Sequence, residues 1–167
     1  AAIRSDNTLW TWGDNSAGEL GTFISNSTLA VGTNNASFLL NNGLLYLWGR
    51  NNEGQLGDGT TVNKSSPALV TGGFTIQIPR NSWKSISVGS SHILAIDSNN
   101  KLYAWGSATD GRTGWNNTTG ESSPVQIGTN TWIDAAVGSA HTLGITTDGT
   151  LYAWGLGTSG QLGDNTA

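Results

Sequence analysis

The chain carries one short pattern four times, and this repeat constrains the fold more strongly than any other feature of the sequence. Each copy reads Leu, an aromatic residue, any residue and then Trp-Gly, and two more glycines follow the Trp at six and nine positions. The copies begin at Leu9, Leu45, Leu102 and Leu151. A repeat of this kind indicates one supersecondary unit that is used several times, as in solenoids and propellers.

A second block, which begins with Val-Gly, precedes three of the copies. It begins at Val31, Val88 and Val137. In all three cases the Gly of Val-Gly and the Gly of the following Trp-Gly lie 17 positions apart. This constant distance indicates that both blocks belong to one unit of fixed local structure.

Both blocks have the pattern of β-strands joined by tight turns. Side chains alternate with a period of two from His92 to Ile96 and again from Leu102 to Trp105, as a strand requires. The dipeptides between the strands favour hairpin turns; they are Asp6-Asn7, Asn42-Gly43, Asn99-Asn100 and Asp148-Gly149. We therefore predict one hairpin in each unit, apolar on both faces.

Two further strands complete the unit. A third strand is predicted over Ser65–Val70 and again over Ser122–Ile127, with a proline near its start, where a missing N–H is tolerated. A short fourth strand, which carries Trp83 or Trp132, leads back into the Val-Gly block. The Thr71–Asn81 insert alternates in hydrophobicity, and we expect it to extend a strand or to pack against a neighbour.

The spacing of the units predicts the blades of a β-propeller. The Trp-Gly motifs lie 36, 57 and 49 residues apart, and four short strands in about 40–50 residues describe a propeller blade. We therefore predict an all-β protein with blades of four antiparallel strands, about three to three and a half of them in this chain. Between Gly21 and Val31 we expect no room for a third and a fourth strand, so that blade is either degenerate or lacks residues in this sequence.

The repeats divide the chain into blades. We predict a half blade over 1–22, a short or degenerate blade over 23–57, two blades over 58–114 and 115–163, and the start of another over 164–167. Half a ring exposes apolar sheet faces, so we expect closure by sequence outside this chain or by a second copy of it. The lack of methionine agrees with a fragment of a longer protein.

The composition excludes several classes of function. The 24 Gly, 21 Thr, 18 Ser and 17 Asn suit tight turns, and the net charge of −4 with only seven basic residues argues against a nucleic-acid-binding surface. No apolar run is long enough to insert into a membrane. The absence of cysteine excludes disulfides, thiolate chemistry and Cys-ligated zinc.

The Leu-Tyr-Ala-Trp-Gly…Gly-Gln-Leu-Gly run and the Val-Gly-x-x-His-x-Leu-x-Ile…Asp-Gly run resemble the regulator-of-chromosome-condensation repeat. The resemblance covers nearly the whole chain, from Ala2 to Thr166, and implies a seven-bladed β-propeller. This sequence departs from the pattern at Asn35, where the family has His, and at Arg112-Thr113, where it has Gln-Leu.

The residues that carry chemistry elsewhere have structural interpretations here. His92 and His141 occupy the same repeat position, so we expect each to make a hydrogen bond inside its own blade rather than to bind zinc. Asp6 and Asp148 are expected to form turns. The spacing from Gly49 to Gly54 lacks the Lys-Ser/Thr of a phosphate loop. We find no catalytic motif and predict neither an enzyme nor a cofactor.

Binding is predicted where loops depart from the repeat. Trp115 stands where two other copies have Asp58 and Asp164, and Asp110 and Arg112 lie close to it. Trp and Arg are enriched at interface hot spots, so we name Asp110, Arg112, Trp115 and the loop residue Arg50 as candidate partner-binding residues. The alternative is that Trp115 folds back over the edge of a blade.

We expect a non-catalytic interaction or structural module that binds a protein or glycan partner through its loops. The composition is similar to that of secreted, cell-surface and virion fibre or decoration proteins, so we expect an extracellular or virion location. The resemblance implies two alternatives. One is guanine-nucleotide exchange on a small GTPase, and the other is enzyme inhibition, as in a secreted bacterial propeller of this family that blocks β-lactamases.

Overall fold

The computed structural model describes residues 2–3, 8–10, 23–24, 27–40, 42–70 and 82–165. These residues form four antiparallel sheets, and their one helical element is a 3-10 turn at Thr109–Gly111. No helix in these ranges is long and apolar enough to cross a membrane. The prediction of an all-β chain is confirmed.

Each sheet is a meander in which strands that follow one another along the chain pair side by side. Sheet 1 contains β1 (Ala2–Ile3), β2 (Thr8–Trp10) and β3 (Phe23–Ile24). Sheet 2 contains β4 (Ser27–Val31), β5 (Asn35–Leu40), β6 (Leu45–Gly49) and β7 (Lys64–Leu69). Sheet 3 contains β8 (Trp83–Val88), β9 (His92–Asp97), β10 (Leu102–Gly106) and β11 (Glu121–Gln126). Sheet 4 contains β12 (Trp132–Val137), β13 (His141–Thr146) and β14 (Leu151–Gly155).

The interval between Gly21 and Val31 holds two strands, β3 and β4. This corrects the expectation that it has no room for a third and a fourth strand. β3 pairs with β2 in sheet 1, and β4 pairs with β5 in sheet 2. β3 is only two residues long, and neither strand carries the Pro or the Trp that marks its counterparts in the later units. Sheet 2 therefore has four strands. The residue boundaries of the blades, given above from the repeats, stay a prediction.

The predicted hairpin turns form where the sequence placed them. Gly43, Asn100 and Gly149 have φ of 79°, 62° and 86°, the left-handed region that Gly and Asn enter most easily. The Thr150 backbone N–H and the Thr146 hydroxyl donate to Asp148, and these bonds hold the pKa of Asp148 below its usual value. The predicted turn at Asp6-Asn7 and the Thr71–Asn81 insert lie outside the described residues.

The prolines of the third strand lie at a bulge rather than at the strand start. Pro67 and Pro124 are the fourth residues of β7 and β11. The register between β6 and β7 shifts between Leu47 and Gly49, and β10 and β11 shift at the equivalent place. A proline is accepted there because β7 and β11 are edge strands, where the missing N–H leaves no ladder bond unmade.

Sheet 3 is packed between sheets 2 and 4, as a blade is between its neighbours. One face carries Ile93, Tyr103 and Trp105 into a cluster with Leu45 and Leu47 of sheet 2. The opposite face carries a second cluster that meets sheet 4; it includes Leu94, Ile96, Leu102, Ala104 and Trp132. Both faces are apolar because both are covered, which the sequence predicted.

The Val-Gly glycines lie where neighbouring sheets come closest. β8 packs against β4 and β5, and β12 packs against β8 and β9. A Cβ on Gly89 would lie 2.8 Å from the Gly138 carbonyl oxygen, and one on Gly32 would collide with the Gly89 carbonyl oxygen. Only glycine permits this approach, which explains why the dipeptide recurs.

The outer face of sheet 4 is uncovered. Leu151 is 63% exposed, whereas its repeat equivalents Leu45 and Leu102 are 0% exposed. Leucine at this repeat position is thus a core residue in sheets 2 and 3 and a surface residue in sheet 4. The described sheets form part of a propeller.

Candidate functional site

The four candidate residues lie at one end of the sheets. This end, called the loop face below, consists of the loops that follow β6, β10 and β14, over 50–63, 107–120 and 156–165. Arg50 begins the first of these loops, and the other three candidates lie in the second. Paired strands hold the first two loops at both ends, β6 and β7 for the first loop and β10 and β11 for the second.

Arg112 is held by its own loop and by sheet 3. Its Nε donates to the Thr109 carbonyl at 2.7 Å, its Nη1 to the Ser91 hydroxyl at 3.0 Å and its Nη2 to Asp110 Oδ2 at 2.8 Å. The side chain is 12% exposed. A guanidinium with this many protein partners stabilises the loop and leaves little of its surface for another molecule.

Asp110 is the more accessible member of the Asp110–Arg112 ion pair. Its side chain is 37% exposed, and its backbone has φ of 59°. This conformation is costly for a residue other than glycine. The loop therefore holds the carboxylate outward at a bend in the chain, and one face of it remains open to solvent.

Trp115 folds back onto the protein. The ring is half-buried and packs against the cluster between sheets 3 and 4, which includes Ile127 and Trp132. Its Nε1 is buried without a hydrogen-bond partner. This packing agrees with the structural alternative raised from the sequence. The partner-binding role of Trp115 stays a prediction, as do those of Arg50, Asp110 and Arg112.

Arg50 is separate from the other three candidates. Its backbone N–H donates to the Asn34 carbonyl at 2.8 Å, and its own carbonyl accepts from Asn35 Nδ2 at 3.4 Å. Within the described ranges its guanidinium makes no ion pair. Among the described residues of the loop face, Arg50 is therefore a half-buried cation with no carboxylate as an ion-pair partner.

The exposed part of the second loop lies beyond Trp115. Residues 116–121 are all exposed, and Asn117 Oδ1 accepts the Thr119 backbone N–H at 3.1 Å. Asn116 has φ of 61°. This segment presents amides and hydroxyls with a single carboxylate, Glu121, and it was not among the sequence-based candidates.

The first loop contains a polar network that the sequence analysis missed. Asn51 is 0% exposed, and its Nδ2 donates to the Thr60 and Val62 carbonyls at 2.9 and 3.2 Å. Its Oδ1 accepts the Leu56 N–H at 2.8 Å. A single amide thus satisfies groups along the whole loop.

Asp58 completes this network. Partial burial raises the pKa of Asp58, but hydrogen bonds from the Thr60 hydroxyl and N–H, together with Lys64, outweigh it and hold the value below the usual range. Lys64 Nζ lies 3.2 Å from Asp58 Oδ2. In the second loop Trp115 replaces this aspartate and Ala108 replaces Asn51, so that loop lacks the network.

His92 bonds to the next sheet rather than inside its own, which corrects the prediction. Its Nε2 lies 3.0 Å from Thr142 Oγ1 in β13, and the Thr142 hydroxyl donates to the Arg112 carbonyl at 2.8 Å. Burial, then the charges of Arg112 and His141, lower the pKa of His92 to about 4. One signal was available in the sequence, because polar Thr142 occupies the repeat position of Ile93.

The described residues offer no site for metal chemistry. No three His, Asp or Glu side chains among them lie close enough together to hold a metal ion. The described loop face offers side chains for hydrogen bonding and for contact with another molecule.

Comparisons with known proteins match this architecture. Two family models described as the regulator of chromosome condensation (RCC1) repeat match, one over residues 42–96 and 99–145 and the other over 83–112 and 132–161. Together they include most of the described residues of sheets 2, 3 and 4.

Several solved structures share the fold. Prp20p from Saccharomyces cerevisiae, which binds Gsp1p and histones, is 21% identical to this chain, with a TM-score of 0.75 over 95% of this chain and 43% of its own. Human WBSCR16 is 20% identical, with 0.73 over 86% and 41%. The C-terminal domain of gp131 from bacteriophage phiKZ is 13% identical, with 0.51 over 81% and 37%. The chain thus spans about two fifths of each solved structure.

Proposed function

Because this chain belongs to the regulator of chromosome condensation repeat family, we propose that it is a non-catalytic interaction or structural module that binds a protein or glycan partner through its loop face. The family's repeats form propellers that act as protein-interaction modules. The described sheets provide a rigid framework of this kind, and the loops between their strands vary from one blade to the next.

The observation that carries the proposal is the contrast between two loops at the same repeat position. The loop over 50–63 is closed on itself by Asn51 and Asp58, whereas the loop over 107–120 lacks both residues. From Asn116 onward that second loop is exposed. A rigid scaffold that presents one divergent, accessible loop is typical of binding modules.

The chemistry of the loop face favours a partner recognised by hydrogen bonds. The exposed segment 116–121 offers side-chain amides and hydroxyls, with acidic groups at Asp110 and Glu121. Such groups suit the polar surface of a protein or the hydroxyls of a glycan. A nucleic acid is disfavoured, because phosphate contacts depend on clustered Lys and Arg.

We further propose an extracellular or virion location. Three features of the sequence support it: 11% charged residues, the absence of cysteine, and the abundance of Asn, Thr, Ser and Gly. A phage protein among the structures of similar fold is compatible with this placement.

A loop exchange tests the binding proposal. Residues 107–120 are replaced by the sequence of 50–63, which has the same length and is native at that repeat position. We expect the exchanged protein to fold and to lose binding to a partner first identified on a glycan array or by crosslinking at residue 117. Undiminished binding by a folded exchange variant would remove the loop face from the proposal.

A second candidate is guanine-nucleotide exchange on a small GTPase; in its support, Prp20p, a protein of similar fold, binds Gsp1p. The test is nucleotide release from purified Gsp1p with and without this chain. Acceleration at substoichiometric chain would establish exchange activity. No acceleration leaves the binding module as the better account.

Ring closure is the remaining part of the proposal. We propose that the uncovered face of sheet 4 meets a further blade, which comes from sequence outside this chain or from a second copy. The native mass separates these sources, because closure by a second copy gives twice the 17.4 kDa of the chain. Leu151→Asp should abolish such association, whereas Val62→Asp should not, although Val62 is equally exposed at 62%.

A further inference from the structure

Two joints between sheets can be compared residue by residue. In the 2–3 joint, sheet 3 covers the face of sheet 2 that carries Asn35. In the 3–4 joint, sheet 4 covers the face of sheet 3 that carries His92. Asn35 and His92 occupy the same repeat position, and so do Ile93 and Thr142 on the covering strands.

The 3–4 joint contains a directed chain of hydrogen bonds. The Thr142 hydroxyl donates its one hydrogen to the Arg112 carbonyl, 2.8 Å away. It must therefore accept from His92 Nε2, 3.0 Å away, so Nε2 carries the imidazole proton. The neutral ring then has Nδ1 as its unprotonated nitrogen.

Nδ1 has no group to stabilise a second proton. It is buried without a hydrogen-bond partner, and it lies beside Gly89, whose added Cβ would be 3.2 Å away. The charged and titratable groups that face the ring are the Arg112 guanidinium and His141. Arg112 carries a positive charge and pairs with the more exposed Asp110, so protonation of His92 would add a second positive charge in a buried joint.

The 2–3 joint lacks this sensitivity. Asn35 does not titrate, and Ile93, at the position of Thr142, packs in the apolar cluster between sheets 2 and 3. Two indole bonds cross the joints at equivalent places. Trp105 Nε1 donates to the Gln55 carbonyl at 2.9 Å across the 2–3 joint, and Trp154 Nε1 donates to the Arg112 carbonyl at 3.0 Å across the 3–4 joint.

From this contrast we propose that the 3–4 joint is an acid-sensitive hinge of the propeller. A proton on His92 Nδ1 breaks the fit between sheets 3 and 4, while the 2–3 joint stays closed. Opening frees the Arg112 carbonyl, which accepts from both Thr142 and Trp154, and uncovers the apolar cluster around Trp132.

The two indole N–H groups provide the measurement. Their signals in a ¹H–¹⁵N correlation spectrum of the whole chain, assigned with Trp105→Phe and Trp154→Phe, report each joint separately. We expect the Trp154 signal to lose its native shift and exchange protection as pH falls from about 6.5 toward 4, while the Trp105 signal keeps both. Loss of both signals in the same pH window would overturn the proposal.

Three variants isolate the titrating group. His92→Asn, the residue found at the equivalent position in sheet 2, should remove the pH dependence of Trp154, and His92→Gln serves if the first variant does not fold. His141→Asn is the matched control and should keep the wild-type transition. A His92 variant with an unchanged transition would show that another group drives the opening.

Discussion

The indole N–H of Trp105 donates at 2.9 Å to the backbone carbonyl of Gln55, which lies 50 residues earlier in the loop that follows β6 of the neighbouring sheet. Trp154 makes the same bond to the Arg112 carbonyl at 3.0 Å. The Trp of Trp-Gly is thus a core residue that also fastens its own sheet to the loop of the preceding one. Because the acceptor is a backbone group, the bond survives the replacement of Gln by Arg at that position.

Trp105→Phe tests this bond. The ring remains apolar, but the Gln55 carbonyl loses its donor, and we expect the free energy of unfolding to fall by about 1–3 kcal/mol. Urea denaturation followed by far-UV circular dichroism measures it. Trp115→Phe is the matched control, because its Nε1 has no partner to lose. Equal losses in the two variants would show that ring size, rather than the bond, matters.

Asn51→Ala is expected to be among the most damaging substitutions in the loops. It removes the amide that bonds the Thr60 and Val62 carbonyls and the Leu56 N–H, and we expect a loss of about 2–4 kcal/mol from these buried unsatisfied groups. The neighbouring Asn52→Ala, at an exposed position, should change stability by less than about 0.5 kcal/mol. The measurement is the denaturant midpoint of each variant, which should be much lower for Asn51→Ala than for Asn52→Ala. Similar midpoints would contradict the prediction.

Gly57→Ala separates steric crowding from backbone strain. Gly57 has φ of 67°, and an added Cβ would lie 2.7 Å from Trp105 Nε1. Gly59 has φ of 78°, but its nearest neighbour would be Ser123 Oγ at 3.7 Å. Both substitutions carry the left-handed strain of about 1–2 kcal/mol. We expect Gly57→Ala to unfold at a clearly lower temperature than Gly59→Ala, because only Gly57→Ala adds crowding to the strain. Equal melting temperatures of the two variants would refute the crowding.

Asp58→Asn should reduce stability at neutral pH and weaken its dependence on acid. The pKa of Asp58 is lower in the folded protein than in the unfolded chain. At pH values between these two pKa values, the folded state therefore binds fewer protons than the unfolded state. The stabilisation is therefore complete above the unfolded value of about 4 and is lost as pH falls through the folded one. Unfolding free energies between pH 6 and 2.5 measure the slope, which should be shallower in the variant.

The control for this experiment is Glu53→Gln, which removes one negative charge from an exposed residue of the same loop. If both variants flatten the acid profile equally, net charge rather than the Thr60 and Lys64 contacts explains the effect.

Local order was predictable from the sequence wherever it depends on neighbours along the chain. Strands such as β9 and β10 follow from alternation, and the Asn99-Asn100 turn follows from residues that accept positive φ. The glycine of Val-Gly was recognised as constant. The sequence did not show why glycine is required there, which is the close approach of a carbonyl oxygen from the next sheet. In the shortened first interval, β3 was missed because a two-residue strand leaves no periodicity to detect, and β4 was missed because it lacks the Trp that marks its counterparts.

The candidate site was also predictable only in part. The sequence identified the loops that depart from the repeat, and the structure keeps Asp110, Arg112 and Trp115 in one loop. In the structure Trp115 also packs against the cluster that includes Trp132, and the Arg112 guanidinium donates to the Ser91 hydroxyl. Neither contact could be predicted, because each joins residues whose proximity depends on how two sheets or two loops pack.

By itself the sequence determined the repeat, the strands, the turns and the family, since all of these depend on side-chain alternation, on glycine and asparagine geometry and on fixed spacing. Tertiary structure alone decided that His92 meets Thr142 in the next sheet, that Asn51 holds its loop together and that Leu151 is exposed while Leu102 is buried. Those outcomes depend on which surfaces meet across 50 residues of chain, and no local pattern in the sequence encodes the partner.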